Sequence, residues 1–242
     1  MARRKSLAFL DVGQGDCFVA DTKSGAIIFD GGSSSEDQVG RYRILPYMKY
    51  LGYQKIQIAV ISHMDIDHYS GIKELLEMGK IKYLGLPEIP KDETMKKIIG
   101  IAKKRGTTIF YLSRGRQITT KDGSLKVLHP QKNSQMEKNA ASLVMQGKIL
   151  GYRVLLTGDV EKEGEEELLS EELERADILK AAHHGSKNST SNEFLQKVQP
   201  KQTVISCGKQ NRYGHPHLET IHRLQTYRTK IYRTDRSGAI IF

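Results

Sequence analysis

Six consecutive residues constrain this chain more than any other stretch: His63-Met64-Asp65-Ile66-Asp67-His68, directly after the apolar run 56–62. Two imidazoles and two carboxylates able to bind a metal ion lie within those six positions. A continuous apolar run of this length predicts a buried strand, so the cluster falls at a strand-to-helix junction. In a tight loop such side chains diverge and can serve two neighbouring cations, the carboxylates supplying negative charge and the imidazoles borderline-soft nitrogen. The competing reading is a polar loop with Asp67 as N-cap of the next helix. A lone histidine would favour that reading; this spacing does not.

Further segments carry the same chemistry. Leu155-Leu156-Thr157-Gly158-Asp159 is a strand ending in Gly-Asp, which places Asp159 where a compact carboxylate can share its two oxygens between cations. Ala182-His183-His184-Gly185-Ser186 also follows an apolar strand, and paired histidines can divide roles between metal and substrate. Lys187, Ser186 and Ser189 stand ready for phosphate. Asn211-Arg212-Tyr213-Gly214-His215-Pro216-His217 offers guanidinium, phenol and imidazole donors. In Asp30-Gly31-Gly32 the carboxylate is placed to orient the metal loop from behind, against the plain alternative of a glycine turn. Of the 8 histidines, only His129 and His222 fall outside these segments, and both read as structural or surface residues.

The rest of the chain sets bounds. At 242 residues it has ample length for one cored domain. Aliphatic runs recur throughout, which excludes whole-chain disorder. No apolar run approaches the roughly 20 residues that span a bilayer, and the basic start Met1–Ser6 lacks the apolar stretch of a signal peptide. Cys17 and Cys207 form no CxxC pair, which removes a thiolate zinc site and a disulfide scaffold. The net charge of +10 favours polyanionic partners. It is concentrated in Lys91–Gln117 and in the tail from Lys197, while the acidic stretch Glu161–Glu174 reads as a solvated helix.

The patterning predicts strands over 7–12, 16–21 and 26–30 joined by glycine turns, and a helix over 38–51 that Pro46 kinks or splits. Helices near 70–78 and 92–104, a strand over 107–112 and strands over 124–129, 142–146 and 153–157 follow. Strand and helix then alternate: helix 162–173, strand 178–182, helix 192–198, strand 203–207, helix 218–226, strand 231–234. This is the order of a single α/β domain over 1–242.

Taken in order, these segments resemble the metallo-β-lactamase-like superfamily, and within it the C-terminal hydrolase domain of the ComEC family of bacterial competence DNA-uptake channels. The resemblance runs through Phe9-Leu10-Asp11-Val12-Gly13-Gln14-Gly15-Asp16, Asp30-Gly31-Gly32, the His63–His68 loop, Asn139 with Ser142-Leu143-Val144, Thr157-Gly158-Asp159, His183-His184-Gly185-Ser186 and Tyr213–His217. It implies a four-layer αββα sandwich carrying two divalent metal ions, Mn2+ or Zn2+, at one sheet edge. By position, His63 and Asp65 would hold one ion, Asp67, His68 and His184 the other, with Asp159 bridging. His183 would sit at the scissile phosphate, making Asp67, Asp159 and His183 the catalytic set. Lys187, Tyr213, His215 and His217 would contact substrate, and Asn139 and Ser142 would line the site. Asp65 stands where the wider superfamily has histidine, and Asn139 stands near its usual third-motif histidine. Both changes harden the site toward manganese.

The implied activity is a metal-dependent phosphodiesterase acting on DNA, single-stranded by expectation, whose ions activate water. Alternatives are a hydrolase of small or polymer-linked phosphodiesters, such as phosphocholine esters, and a non-catalytic DNA-binding module. A stand-alone chain would be cytoplasmic. A ComEC-type parent would join it to a membrane channel domain and place it on the extracytoplasmic face.

Overall fold

A computed structural model describes residues 5–136 and 139–242; Met1–Arg4, part of the basic start, lie outside the described residues. In chain order the strands are β1 (Leu7–Phe9), β2 (Phe18–Thr22), β3 (Gly25–Phe29), β4 (Ile56–Val60), β5 (Ile81–Pro87), β6 (Thr108–Leu112) and β7 (Gln117–Thr120). They continue with β8 (Gly123–His129), β9 (Val144–Ile149), β10 (Tyr152–Leu156), β11 (Ile178–Lys180), β12 (Gln202–Ile205), β13 (Lys230–Arg233) and β14 (Ile240–Ile241). The helices are α1 (Leu45–Tyr50), α2 (Ile66–Glu77), α3 (Glu93–Lys104), α4 (Lys162–Leu169), α5 (Asn192–Val198), α6 (Leu218–Thr226) and α7 (Thr234–Ser237).

The strands form two seven-stranded sheets, β14-β1-β2-β3-β4-β5-β6 and β13-β12-β11-β10-β9-β8-β7. Each sheet is mixed: hairpin-connected strands pair antiparallel, and the crossover strands β3 to β6 and β10 to β13 run parallel. The period-2 alternation of a strand sends neighbours to opposite faces. Leu7, Phe9, Ile27, Phe29, Val154 and Leu156 enter the apolar layer between the sheets. Ala8, Ala26 and Ile28 face the layer under α1 to α3, and Leu155 the layer under α4 to α6. Three apolar layers therefore separate helices, sheet, sheet and helices, which is the expected αββα sandwich.

Several elements depart from expectation. Pro46 sits in the first turn of α1, where its missing N–H costs nothing, so the helix over 38–51 becomes a short π-helical turn, Gly40–Ile44, followed by α1. The helix over 162–173 stops at Leu169, because Glu171, Glu172 and Glu174 would place like charges at the negative end of its dipole. β5 carries Gly85 and Pro87 and so looks like a breaker, yet it is buried between β4 and β6. Phe110 packs so closely that a Cβ on Gly85 would meet it at 2.9 Å. Asp65, not Asp67, is the N-cap residue of α2.

Candidate metal centre

The chemistry-bearing residues sit at the carboxyl ends of β3, β4, β10, β11 and β12, the usual place for a site on parallel strands. β4 delivers the 63–68 loop, β10 delivers Asp159 and β11 delivers His183 and His184. The loops around it interlock through main-chain bonds: Asp16 N–H donates to the Asp67 carbonyl (3.0 Å) and Gly31 N–H to the His68 carbonyl (2.9 Å). Glycine is needed at the crossing, since a Cβ on Gly32 would lie 2.5 Å from the Ile66 carbonyl oxygen. His183 and His184 both adopt left-handed backbone, φ 46° and 52°. Such strain costs about 1–3 kcal/mol per residue and persists only where surroundings enforce it. Here it turns two adjacent rings toward one cleft.

His68, His184 and Asp159 converge. Asp159 Oδ2 lies 3.1 Å from His68 Nε2 and 3.4 Å from His184 Nε2, and Asp67 Oδ2 lies 3.4 Å from the same His184 atom. The far side of each ring is held. His68 Nδ1 meets Asp30 Oδ2 at 2.9 Å, and His184 Nδ1 donates to the Ser206 carbonyl at 2.8 Å. Asp30 is fixed in turn by the Ser62 N–H (2.7 Å) and hydroxyl (2.8 Å), so it does orient the loop from behind. His63 is buried, with Nδ1 3.0 Å from Ser62 Oγ and Nε2 3.7 Å from Asp65 Oδ2.

Among the described residues, the Nε2 atoms of His63, His68 and His184 and the Oδ1 atoms of Asp159 and Asp16 are buried without a hydrogen-bond partner. Buried polar atoms are rarely left so, and convergent imidazole and carboxylate atoms are what a divalent cation requires. Asp16, His68, Asp159 and His184 bring ligand-capable atoms within 4.8 Å of one another. The donor set thus fits a metal ion.

The electrostatics follow from burial among carboxylates. Burial alone would depress His184, but Asp159 and Asp16 raise it to about 10. His68 is raised in the same way by Asp159 and Asp30 against the pull of burial. Burial raises the Asp67 carboxyl, yet the close approach of His184 and the charges of His68 and His184 bring it down to about 2. His63, buried beside His68, is held well below the usual imidazole range.

A cleft of about 370 Å³ opens onto this cluster, walled by Gln14, Asp65, Ile66, Asp67, Asp159, His183, His184, Tyr213 and His215. His183 reaches it with Nδ1 2.7 Å from Glu161 Oε1 and Nε2 3.8 Å from Asp159 Oδ2. His215 stacks against Tyr213 and lies within 5.3 Å of the His183 ring. Burial and the neighbouring His184 and His183 push His215 down to about 4.

Other expected site residues lie elsewhere. Lys187 is exposed and lines a separate cavity of about 450 Å³ with Arg223 and Glu165. His217 accepts from the Lys187 N–H (3.2 Å) and packs its ring against His215. Ser142 is buried and accepts from the Asp159 N–H at 3.3 Å, so it steadies Asp159 rather than lining the cleft. Asn139 accepts from the Ser142 N–H through its main-chain carbonyl and is absent from the cleft wall. Of the basic segments, Lys91–Gln117 contributes nothing to the cleft wall, with Lys96, Lys97, Lys103 and Lys104 exposed on α3, whereas the tail brings Tyr213 and His215 to it with Arg212 over the Tyr213 ring. His129 is buried against the Ala140 carbonyl (2.7 Å), and His222 is exposed on α6.

Three participants escaped the sequence reading. Asp16 carried no role although Gly15-Asp16 was part of the resemblance. Glu161 opens the acidic stretch that reads as a solvated helix. Lys180 looked like an ordinary residue of an apolar strand. A single charge within Ile178-Leu179-Lys180-Ala181-Ala182 is the signal that would have found it.

Residues 10–209 match the Metallo-beta-lactamase superfamily profile. ComE operon protein 3 of Bacillus subtilis is 37% identical over 96% of this chain and 32% of its own length. Competence protein ComA of Neisseria gonorrhoeae is 30% identical over 96% of this chain and 31% of its own. The chain thus spans about a third of the length of these relatives. Among solved structures, the metallo-beta-lactamase fold protein YhfI from Bacillus subtilis superposes with TM-score 0.64 at 13% identity, covering 98% of this chain and 99% of that one. The short form of human tRNase Z superposes with TM-score 0.54 at 14% identity, covering 96% and 98%. The profile match spans most of the sandwich, and these two curated relatives are ComEC-family competence proteins: this chain belongs to the metallo-beta-lactamase superfamily.

Proposed function

We propose that this chain is a metal-dependent phosphodiesterase that cleaves DNA, single-stranded in preference. The observation that carries the reading is the set of unpartnered, buried imidazole nitrogens and the carboxylate at the floor of an open cleft. In this reading Asp67, His68, His184 and Asp159 would hold one divalent cation, and His63 and Asp65 would hold a second. Such ions supply Lewis acidity for a phosphate and lower the pKa of water. The chain's own groups do the rest. His183, fixed at Nδ1 by Glu161, turns Nε2 into the cleft toward a phosphoryl oxygen. His215, neutral above a pH of about 4, offers an uncharged imidazole beside it. Asp30 and the Ser206 carbonyl fix which ring nitrogen faces the cation. Mn2+ is the expected ion, since carboxylates make up half of the donors.

DNA as substrate draws support from the competence names of the relatives and from the net charge of +10. Among the described residues no helix is long and apolar enough to cross a membrane. A channel-bearing parent, with this domain on its extracytoplasmic face, belongs to the same proposal. One observation favours a small phosphodiester instead: among the described residues no lysine or arginine lines the cleft. Incubation with Mn2+ and end-labelled single-stranded DNA, duplex DNA or bis-p-nitrophenyl phosphate separates the two. Cleavage of single strands that is lost in Asp159→Ala supports the nuclease. Turnover of the small ester alone would replace it with the second reading. Binding of DNA without cleavage of any substrate would mark a non-catalytic module.

A further inference from the structure

Lys180 is one of few charged side chains buried in the core of this protein, at 4% exposure. It projects from β11, two strands from the nearest solvent edge of its sheet. Its ammonium pairs with Asp16 Oδ2, donates to the Gly158 carbonyl at 3.1 Å and lies 3.6 Å from Asp159 Oδ1.

Asp16 resembles a metal ligand in its proximity and in its buried, unpartnered Oδ1, yet the direction of its approach argues otherwise. Its oxygens approach His68 Nδ1 at 3.8 Å and His184 Nδ1 at 3.6 Å. Those nitrogens are already engaged by Asp30 and the Ser206 carbonyl. The nitrogens free for a cation are the Nε2 atoms, on the opposite side of each ring, where Asp159 Oδ2 and Asp67 Oδ2 gather. Asp16 therefore stands behind the rings, with Lys180.

We propose that Lys180 is a positioning residue of the metal centre: a resident cation that balances Asp16 behind the histidines and steadies the Oδ1 side of Asp159, so that Asp159 Oδ2 faces the two Nε2 atoms. Asp16 on this account is the partner of Lys180 and not a metal ligand. The proposal rests on these side chains forming a metal centre and is independent of whether the substrate is DNA.

The test is Mn2+ binding, read as stoichiometry and Kd by electron paramagnetic resonance and calorimetry, together with thermal melting. Asp16→Asn should keep the wild-type stoichiometry, whereas Asp159→Asn should lose at least one equivalent. Lys180→Met should weaken Mn2+ binding about 10–100-fold, the range for residues that orient ligands. It should also lower the cation-free Tm by roughly 6–20 °C, because it strands a buried carboxylate. The double variant Asp16→Asn with Lys180→Met removes both charges. It should recover most of the Tm but keep the weakened binding, which separates positioning from stability. Asp16→Asn losing metal as completely as Asp159→Asn would make Asp16 a ligand and overturn the proposal. So would wild-type Mn2+ affinity in the double variant, or a wild-type protein that binds no divalent ion. Wild-type protein that binds Mn2+ but cleaves no DNA would sink the nuclease reading alone.

Discussion

The two sides of the candidate centre differ in how much of the protein stands behind them. On one side, His68 and His184 are almost fully buried, and each has its Nδ1 fixed, by Asp30 at 2.9 Å and by the Ser206 carbonyl at 2.8 Å. On the other, His63 is backed by the Ser62 hydroxyl at 3.0 Å, and the Asp65 side chain is 35% exposed at the cleft wall. Fixed rings present their nitrogens with little entropy left to lose, whereas an exposed carboxylate must be ordered when a cation arrives. The lesson is a graded candidate site: one side is built into the sandwich and the other is finished at its surface.

The largest effect tests whether the built-in side governs the whole. Asp159 faces His68, His184 and His183 at once. Asp159→Asn should cut phosphodiester hydrolysis by more than the 10–100-fold typical of supporting residues and reduce the metal content of purified protein. Metal analysis and a rate assay on bis-p-nitrophenyl phosphate check both. Next comes the support itself. Asp30→Asn keeps the size of the side chain but removes the charge behind His68, and should weaken cation binding about 10–100-fold, read by calorimetry. Unchanged affinity would erase the distinction between the two sides.

A smaller effect is expected at the exposed side. Asp65→Ala should lower the stoichiometry by one ion while the second stays bound, and raised Mn2+ should restore much of the rate. Loss of both ions would mean that the sides act as one. The smallest effect is in pH. His184 in the cation-free protein has its pKa raised to about 10. Its stabilising charge is therefore fully present below the unfolded value near 6.5 and fades as pH rises through about 10. Asp67, depressed to about 2, contributes stability above the unfolded carboxylate value near 3.9 that is lost as pH falls through about 2. A cation on Nε2 must displace the His184 proton, so Mn2+ binding should release protons and the Tm gain from Mn2+ should grow between pH 6 and pH 9. A gain that shrinks over that range would remove His184 from the ligands.

Much of the centre was legible because it depends on residues close in sequence. The His63–His68 loop declares itself by four ligand-type side chains after a buried strand, and the His183-His184 pair by its place after another. The missed participants depend on approach across the fold. Asp16 meets Lys180 across 164 positions of chain, and nothing local in either segment announces the pairing. Lys187 and Asn139 differ in the other direction: neither lines the cleft wall. Both sit beside motif residues in the chain, and nearness in sequence does not bring a side chain to the cleft.

What the sequence alone determined was the opening hairpins, the order of the later strand–helix units from β10 to β13 and the identity of its metal-competent side chains, because these follow from periodicity and chemistry within short windows. Only the tertiary structure decided which nitrogen of each imidazole faces inward, that Asp16 stands behind the rings, and that Lys180 is held charged in the core. Those are matters of direction and burial, and they exist only once two sheets have packed and brought distant loops to one edge.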